Sequence, residues 1–293
     1  PATIRRQRQM CIRDRDVETV TVFGVDDTLS HDNQAFSVTL GSVTSSDVNY
    51  AGKNPDDVSV TNVDNETASI TVSALSGNTT EMGGTATFTV VLDSQPTSDV
   101  SIAVSSSDTS EATISPSSLT FDSSNYSTLQ TVTVTGVDDF YDDDNVSYTI
   151  TVDPSSSIAS YNTMTSSTVT GSNIDNDTAA IAVGAKSGNT SEFGTTATIN
   201  VTLATIPTAN VSIVVTDNDS TEVSITPTTL TITPSTWNTT NQVTLTGQDD
   251  SDNDGNITFR ISFDNATSTD SKYNGMAPSP AYVDVINVDD YAD

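Results

Sequence analysis

The sequence predicts an all-β chain of tandem sandwich domains, and three observations predict it. First, the chain repeats itself over a long period, the mark of stacked units rather than one large core. Glu81-Met-Gly-Gly-Thr-Ala-Thr-Phe-Thr-Val-Val-Leu92 aligns with Glu192-Phe-Gly-Thr-Thr-Ala-Thr-Ile-Asn-Val-Thr-Leu203 at an offset of 111. The same register carries Pro96 onto Pro207, Asp108 onto Asp219, Pro116 onto Pro227, Tyr126 onto Trp237 and Gly136 onto Gly247. Second, each repeat is a series of short alternating or β-branched runs punctuated by Gly, Pro, Asn, Asp and Ser. Third, apolar residues nowhere recur at helical spacing for more than a turn or so.

Taken in order, the strands of the middle repeat are expected at Ala68 to Ala74 (A), Thr85 to Leu92 (B), Val100 to Val104 (C), Glu111 to Phe121 (D, bent at Pro116), Gln130 to Thr135 (E) and Ser147 to Val152 (F). A last strand (G) ends at Asn173-Ile174-Asp175-Asn176-Asp177. About seven strands in such a span describe a sandwich of immunoglobulin-like architecture. Gly24-Val25-Asp26-Asp27 and Asn62-Val63-Asp64-Asn65 match Gly136-Val137-Asp138-Asp139 and Asn173-Ile174-Asp175-Asn176 upstream. Residues 16–66 are therefore read as the C-terminal half of a repeat, followed by complete repeats at 67–178 and 179–293. Tyr126 and Trp237, at matching positions, are expected to cover the sandwich as packing groups.

The first 15 residues stand apart. They hold Arg5, Arg6, Arg8, Arg13, Arg15 and the single cysteine, Cys11. The run Arg5 to Asp14 resembles the translation of a transposon-end adapter used in preparing sequencing libraries. On that reading the chain comes from an assembled environmental sequence, its native N-terminus is missing, and Pro1 to Arg15 packs against nothing; a natural basic leader is the alternative. Without this segment only Lys53, Lys186, Arg260 and Lys272 remain as basic residues in a chain of net charge −30. Such a balance argues against nucleic acid and anionic membrane surfaces, which need a basic footprint. No apolar run reaches the roughly 18 to 20 residues of a membrane span. With no further cysteine, disulfides and thiolate sites are excluded; the single His31 is a poor basis for a hydrolase triad or a zinc site, and no enzyme activity is expected.

The acids fall by loop parity. If strands A to G alternate in direction, the A-B, C-D and E-F loops and the end of G emerge at one pole. That pole receives Glu81, Asp108, Glu111, Asp138, Asp139, Asp142, Asp143, Asp144, Asp175 and Asp177, while the opposite loops are mostly Ser, Thr, Asn and Pro. The last repeat places Glu192, Asp219, Asp249, Asp250, Asp252, Asp254, Asp289 and Asp290 in the same way, and the half-repeat keeps Asp26, Asp27 and Asp64. Crowded carboxylates raise one another's pKa unless a cation sits among them. Hard oxygen donors from several loops suit Ca2+ better than Mg2+, which dehydrates reluctantly. The alternative is a solvated acidic surface of the kind that keeps salt-adapted proteins soluble.

At this point the repeat resembles the Calx-beta domain. The residues that carry the resemblance are Glu81-Met82-Gly83 and Glu192-Phe193-Gly194, Leu119 to Phe121, Val132 to Asp139, and Asn173 to Asp177. The resemblance spans essentially Asp16 to Asp293. It implies calcium at one pole, held here by Glu81, Asp108, Asp138, Asp139, Asp143, Asp175 and Asp177. The last repeat departs by offering Asn253 where Asp142 stands, and a shorter exit at Asn287-Val288-Asp289-Asp290. The resemblance also implies a stalk of a large microbial surface or secreted adhesin. Calcium ions and neighbouring repeats are then the partners, with host-surface or self contacts further out. A filament subunit completed by a strand from its neighbour is the second reading.

Overall fold

The structure, a computed structural model, describes residues 19–249 and 254–289. The basic leader, Asp250, Asp252 and Asp290 lie outside them. In chain order the strands begin with β1 (Gln34–Val38) and β2 (Val58–Asn62), followed by β3 (Ile70–Val72), β4 (Thr79–Thr80), β5 (Thr85–Leu92), β6 (Val100–Ser106), β7 (Ala112–Ser115), β8 (Ser118–Phe121), β9 (Gln130–Gly136), β10 (Val146–Ser156) and β11 (Ser167–Ile174). One helical turn, α1 (Ala159–Asn162), interrupts the last connection. The second set is β12 (Ile181–Val183), β13 (Thr190–Ser191), β14 (Thr196–Leu203), β15 (Val211–Asp217), β16 (Val223–Thr226), β17 (Thr229–Ile232), β18 (Asn241–Gly247), β19 (Ile257–Phe263) and β20 (Tyr282–Val288).

Two sheets make each sandwich. The first pairs β3-β5-β9-β7 against β4-β11-β10-β6-β8, and the second repeats this as β12-β14-β18-β16 against β13-β20-β19-β15-β17. Alternation is the reason. In β5 the burial runs Ala86, Phe88, Val90, Leu92 inward, with Thr87, Thr89 and Val91 between them. Val132 and Val134 of β9, Ile102 and Val104 of β6, and Ile150 and Val152 of β10 complete one core between the sheets. Side chains at period two on each strand leave no other way to bury both apolar faces.

Two expected strands are split. Strand A is the short β3 plus β4, which leaves β5 and pairs in parallel with β11 at Asn173↔Thr79. Strand D changes sheets at Pro116: β7 pairs with β9, whereas β8 pairs with β6. Proline has no N–H to give to a ladder, so the crossing falls where pairing is already interrupted. Tyr126 and Trp237 pack against the two cores, as expected of covering aromatics.

Among the described residues, the half-repeat forms the β1-β2 hairpin as its only sheet. Its register makes it the counterpart of β10-β11. Phe36, which matches the buried Tyr148, is 42% exposed, and Tyr50, which matches the buried Tyr161, is 63% exposed. The side chains of a core are present without the sheet that would cover them.

Opposite the acidic pole, each complete sandwich is closed by a tyrosine. Tyr161 on α1 donates to the Ser94 carbonyl at 3.0 Å, and Tyr273 donates to that of Thr205 at 2.8 Å. The two copies differ in one compensated pair. Tyr148 faces Gly171 across β10 and β11, whereas Phe259 faces Val285 across β19 and β20. A Cβ on Gly171 would lie 2.6 Å from the Tyr148 hydroxyl, so the small residue makes room for the phenol. That phenol hydrogen-bonds Thr79, which in turn donates to Asn173 Oδ1 at 3.0 Å. Phe259 cannot do this, and Asn287 Oδ1 is left buried without a partner. Gly171→Val should therefore destabilise the first sandwich by about 1–3 kcal/mol through overpacking. Adding Tyr148→Phe, which recreates the Phe–Val pair, should recover most of the loss in a thermal or urea melt. A double variant as unstable as the single one would contradict this.

Candidate metal centre

The acidic loops meet because strand ends are tied together there. Asn173, at the end of β11 and fully buried, donates from Nδ2 to the Val137 carbonyl at 2.9 Å and to Glu111 Oε2 at 3.3 Å. One amide thus joins the exits of strands G and E and the C-D loop. Asn287 does the same with the Gln248 carbonyl and Glu222, and Asn62 reaches the Val25 carbonyl at 3.3 Å. Glycine is required beside it, because a Cβ on Gly136 or Gly247 would strike the Asn oxygen and the carbonyl of Thr80 or Ser191.

Two groups of three carboxylates result in the first sandwich. Glu81, Asp138 and Asp177 form one, and Glu111, Asp139 and Asp143 the other, each offering oxygens within 4.8 Å of one another. Glu81 and Glu111 are buried. Glu81 Oε2 accepts from the Asn176 amide at 3.0 Å and from its side chain at 3.3 Å. Asp175 organises the pole from beside it. Its two oxygens accept from the Asp177 amide at 2.7 Å and the Asp144 amide at 3.0 Å, and its own N–H donates to Asn145.

Among the described residues, no Lys, Arg or His forms an ion pair with either group. The protonation equilibria show the cost. Burial, then Asp175 and Asp139, push Glu81 up to about 7 against the pull of the Asn176 amide. Burial, then Glu111, Asp139 and Asp175, push Asp143 up to about 6. Glu111 and Asp177 are raised for the same reason, burial first and neighbouring carboxylates after it. Oxygen-only donors from three loops, in groups this tight, fit a hard divalent cation of flexible coordination.

Not every expected ligand joins these groups. Asp108 accepts the Ser110 amide at 3.0 Å and caps its own turn; Asp219 does so with Thr221 at 3.3 Å. Asp142 accepts the Ala179 amide at 2.8 Å and the Lys272 ammonium at 2.6 Å, both from the following repeat's side. Conversely, Glu111 belongs to the second group although the expected ligand set omitted it; its repetition as Glu222 was the signal in the sequence.

In the last sandwich Glu192 and Glu222 are buried as their counterparts are. Asp289 accepts the Gly255 amide at 2.8 Å, as Asp175 accepts that of Asp144. Asp249 and Asp254 flank the undescribed segment, and Asp250 and Asp290 lie outside the described residues. In the half-repeat Asp64 Oδ2 accepts the His31 amide at 3.0 Å, and Asp27 Oδ1 accepts that of Leu29 at 2.8 Å. His31 replaces Asp143 there and sits 3.5 Å from Asp27. Glu66 takes the place of Asp177 and is raised by burial and by Asp64 and Asp26.

No protein-family profile matches the chain, and no curated protein does. Among solved structures, CBD12 from CALX1.2 is 13% identical over 68% of this chain and 82% of that one, at a TM-score of 0.31. The calcium binding domain CBD12 of CALX1.1 is 14% identical over 65% and 77%, at 0.29. Domains 4 and 5 of the S-layer protein SbsC are 14% identical over 76% and 99%, at 0.26. Scores this low carry no functional inference.

The raised acids set a pH dependence. A carboxyl whose folded pKa is raised holds its proton more tightly when folded, so its contribution is complete below the unfolded range and is lost as pH rises through about 6 to 7. Acids that are lowered, such as Asp108 and Asp142, act at more acid pH. In chelator, the melting midpoint of the first sandwich should fall between pH 5 and 8. A midpoint that rises across that window would contradict the crowding described here.

Proposed function

We propose that the chain is a calcium-binding spacer, a run of sandwich repeats whose ions stiffen a stalk of an extracellular or cell-surface adhesin-like protein. The observation that carries this reading is the pair of three-carboxylate groups at one pole, with buried Glu81 and Glu111 and, among the described residues, no cationic side chain paired with them. A merely soluble acidic surface would leave its carboxylates in water rather than bury them against each other. Glu81, Asp138 and Asp177 would hold one ion, and Glu111, Asp139 and Asp143 another. The same loops repeat in each copy, which suits a structural ion rather than an active site, and the proposed role is non-catalytic.

The position of the pole supports the stiffening role. Asp175, Asn176 and Asp177 lead without a flexible spacer towards β12, so ligands and linker are the same residues. An ion there removes the repulsion among the linker's own acids. The exposed core face of the half-repeat favours a second reading, a filament subunit completed by strands from another chain.

Thermal melts of the whole chain with calcium, magnesium or chelator test the main reading. A ligand bound only by the folded state at 100 times its Kd adds about 2.7 kcal/mol, on the order of 10 °C for a domain of this size. The rise should be specific to calcium and should vanish for the first sandwich in Asp138→Asn/Asp139→Asn. No calcium shift would make the acids a solvated surface.

A further inference from the structure

The two joints of the chain share a backbone contact and differ in charge. At the first joint the Gln95 amide donates to the Thr28 carbonyl at 2.8 Å; at the second, the matching Ile206 amide donates to the Phe140 carbonyl at 2.7 Å. In both, the E-F loop of one repeat therefore rests on the B-C loop of the next. At the second joint the Phe140 ring also lies 5.8 Å from that of Trp237.

Beside this shared contact, Lys272 from the F-G loop of the last repeat reaches back. Its Nζ lies 2.6 Å from Asp142 Oδ1 and 2.8 Å from Asp144 Oδ1. Asp142 is largely shielded, and both carboxylates raise the lysine's pKa. Asp144 is the only described non-glycine residue with positive φ, at 64°. Its counterpart in the last repeat is Gly255, at 78°. The left-handed turn thus keeps a side chain where glycine would be the easier choice, and that side chain contacts the lysine.

The first joint lacks the lysine and one of its two acids. Ser30 occupies the Asp142 position and Ser160 the Lys272 position, and both line the cleft between the half-repeat and the first sandwich. Asp32, at the Asp144 position, also lines that cleft, so the first joint keeps one acid and loses the Asp142 carboxylate together with the lysine.

We infer that Asp142 and Asp144 form a neighbour-matching latch rather than part of the ion site: an acidic loop tip that docks a following repeat bearing a basic residue at the Lys272 position. The latch fixes the orientation of the last repeat on the middle one through an internal ammonium. It goes beyond the calcium reading and does not rest on it, because neither aspartate belongs to the three-carboxylate groups.

The test is a pulsed-EPR distance distribution between spin labels at Thr120→Cys and Thr231→Cys, exposed and equivalent positions, in the full chain carrying Cys11→Ser. Chelator is present throughout, so bound cations contribute nothing. The parent should give one narrow distance. Lys272→Gln should lose the narrow peak, and Lys272→Arg should retain it, with melting midpoints unchanged in both. A narrow peak in Lys272→Gln, or broadening equal in Lys272→Gln and Lys272→Arg, would overturn the latch.

Discussion

Carboxylates whose oxygens lie within 4.8 Å of one another repel, and the sandwich nonetheless assembles two such groups at one pole. What holds them there is backbone geometry. The ladders of both sheets end at this pole, and the Asn173 side chain closes the gap between the E and G exits while pulling Glu111 inward. The Asp175 carboxylate then fixes two successive loop amides. Each tie is an ordinary hydrogen bond worth about 1 kcal/mol. Together they leave the acids little freedom to swing into water, so the remaining way to relieve the repulsion is protonation or a cation.

The same frame tolerates variation where a partner changes with it. Tyr148 with Gly171 and Phe259 with Val285 fill one space in two ways, and only the first supplies a hydroxyl to Thr79. At the first joint, Ser30 and Ser160 stand where Asp142 and Lys272 pair at the second. By contrast, Gly136 and Gly247 admit no alternative, since any Cβ would meet backbone and the tying asparagine at once. Packing fixes what every repeat shares, and polar pairs distinguish one neighbour from another.

Much of this was legible in the residues. The long repeat, period-two alternation and turn clusters predict the sandwiches, and loop parity places Glu81, Asp138, Asp139, Asp143 and Asp175 at one pole. The splitting of strand A was not legible, because Thr79 and Thr80 carry no apolar pattern and are recruited by the edge of β11. Nor was the separation of roles within the run Asp142-Asp143-Asp144. Identical side chains at successive positions point in different directions, and only the turn at Asp144 sends one to the carboxylate groups and two to the neighbouring repeat. Asp108 stays out of both groups for a related reason: its carboxylate accepts the Ser110 amide within its own loop.

The central question at this pole is whether cations occupy the two carboxylate groups. A crystal of the chain grown with terbium, and measured for anomalous scattering, answers this directly. One peak is expected among Glu81, Asp138 and Asp177 and another among Glu111, Asp139 and Asp143. Peaks confined to lattice contacts, or none at this pole, would contradict this.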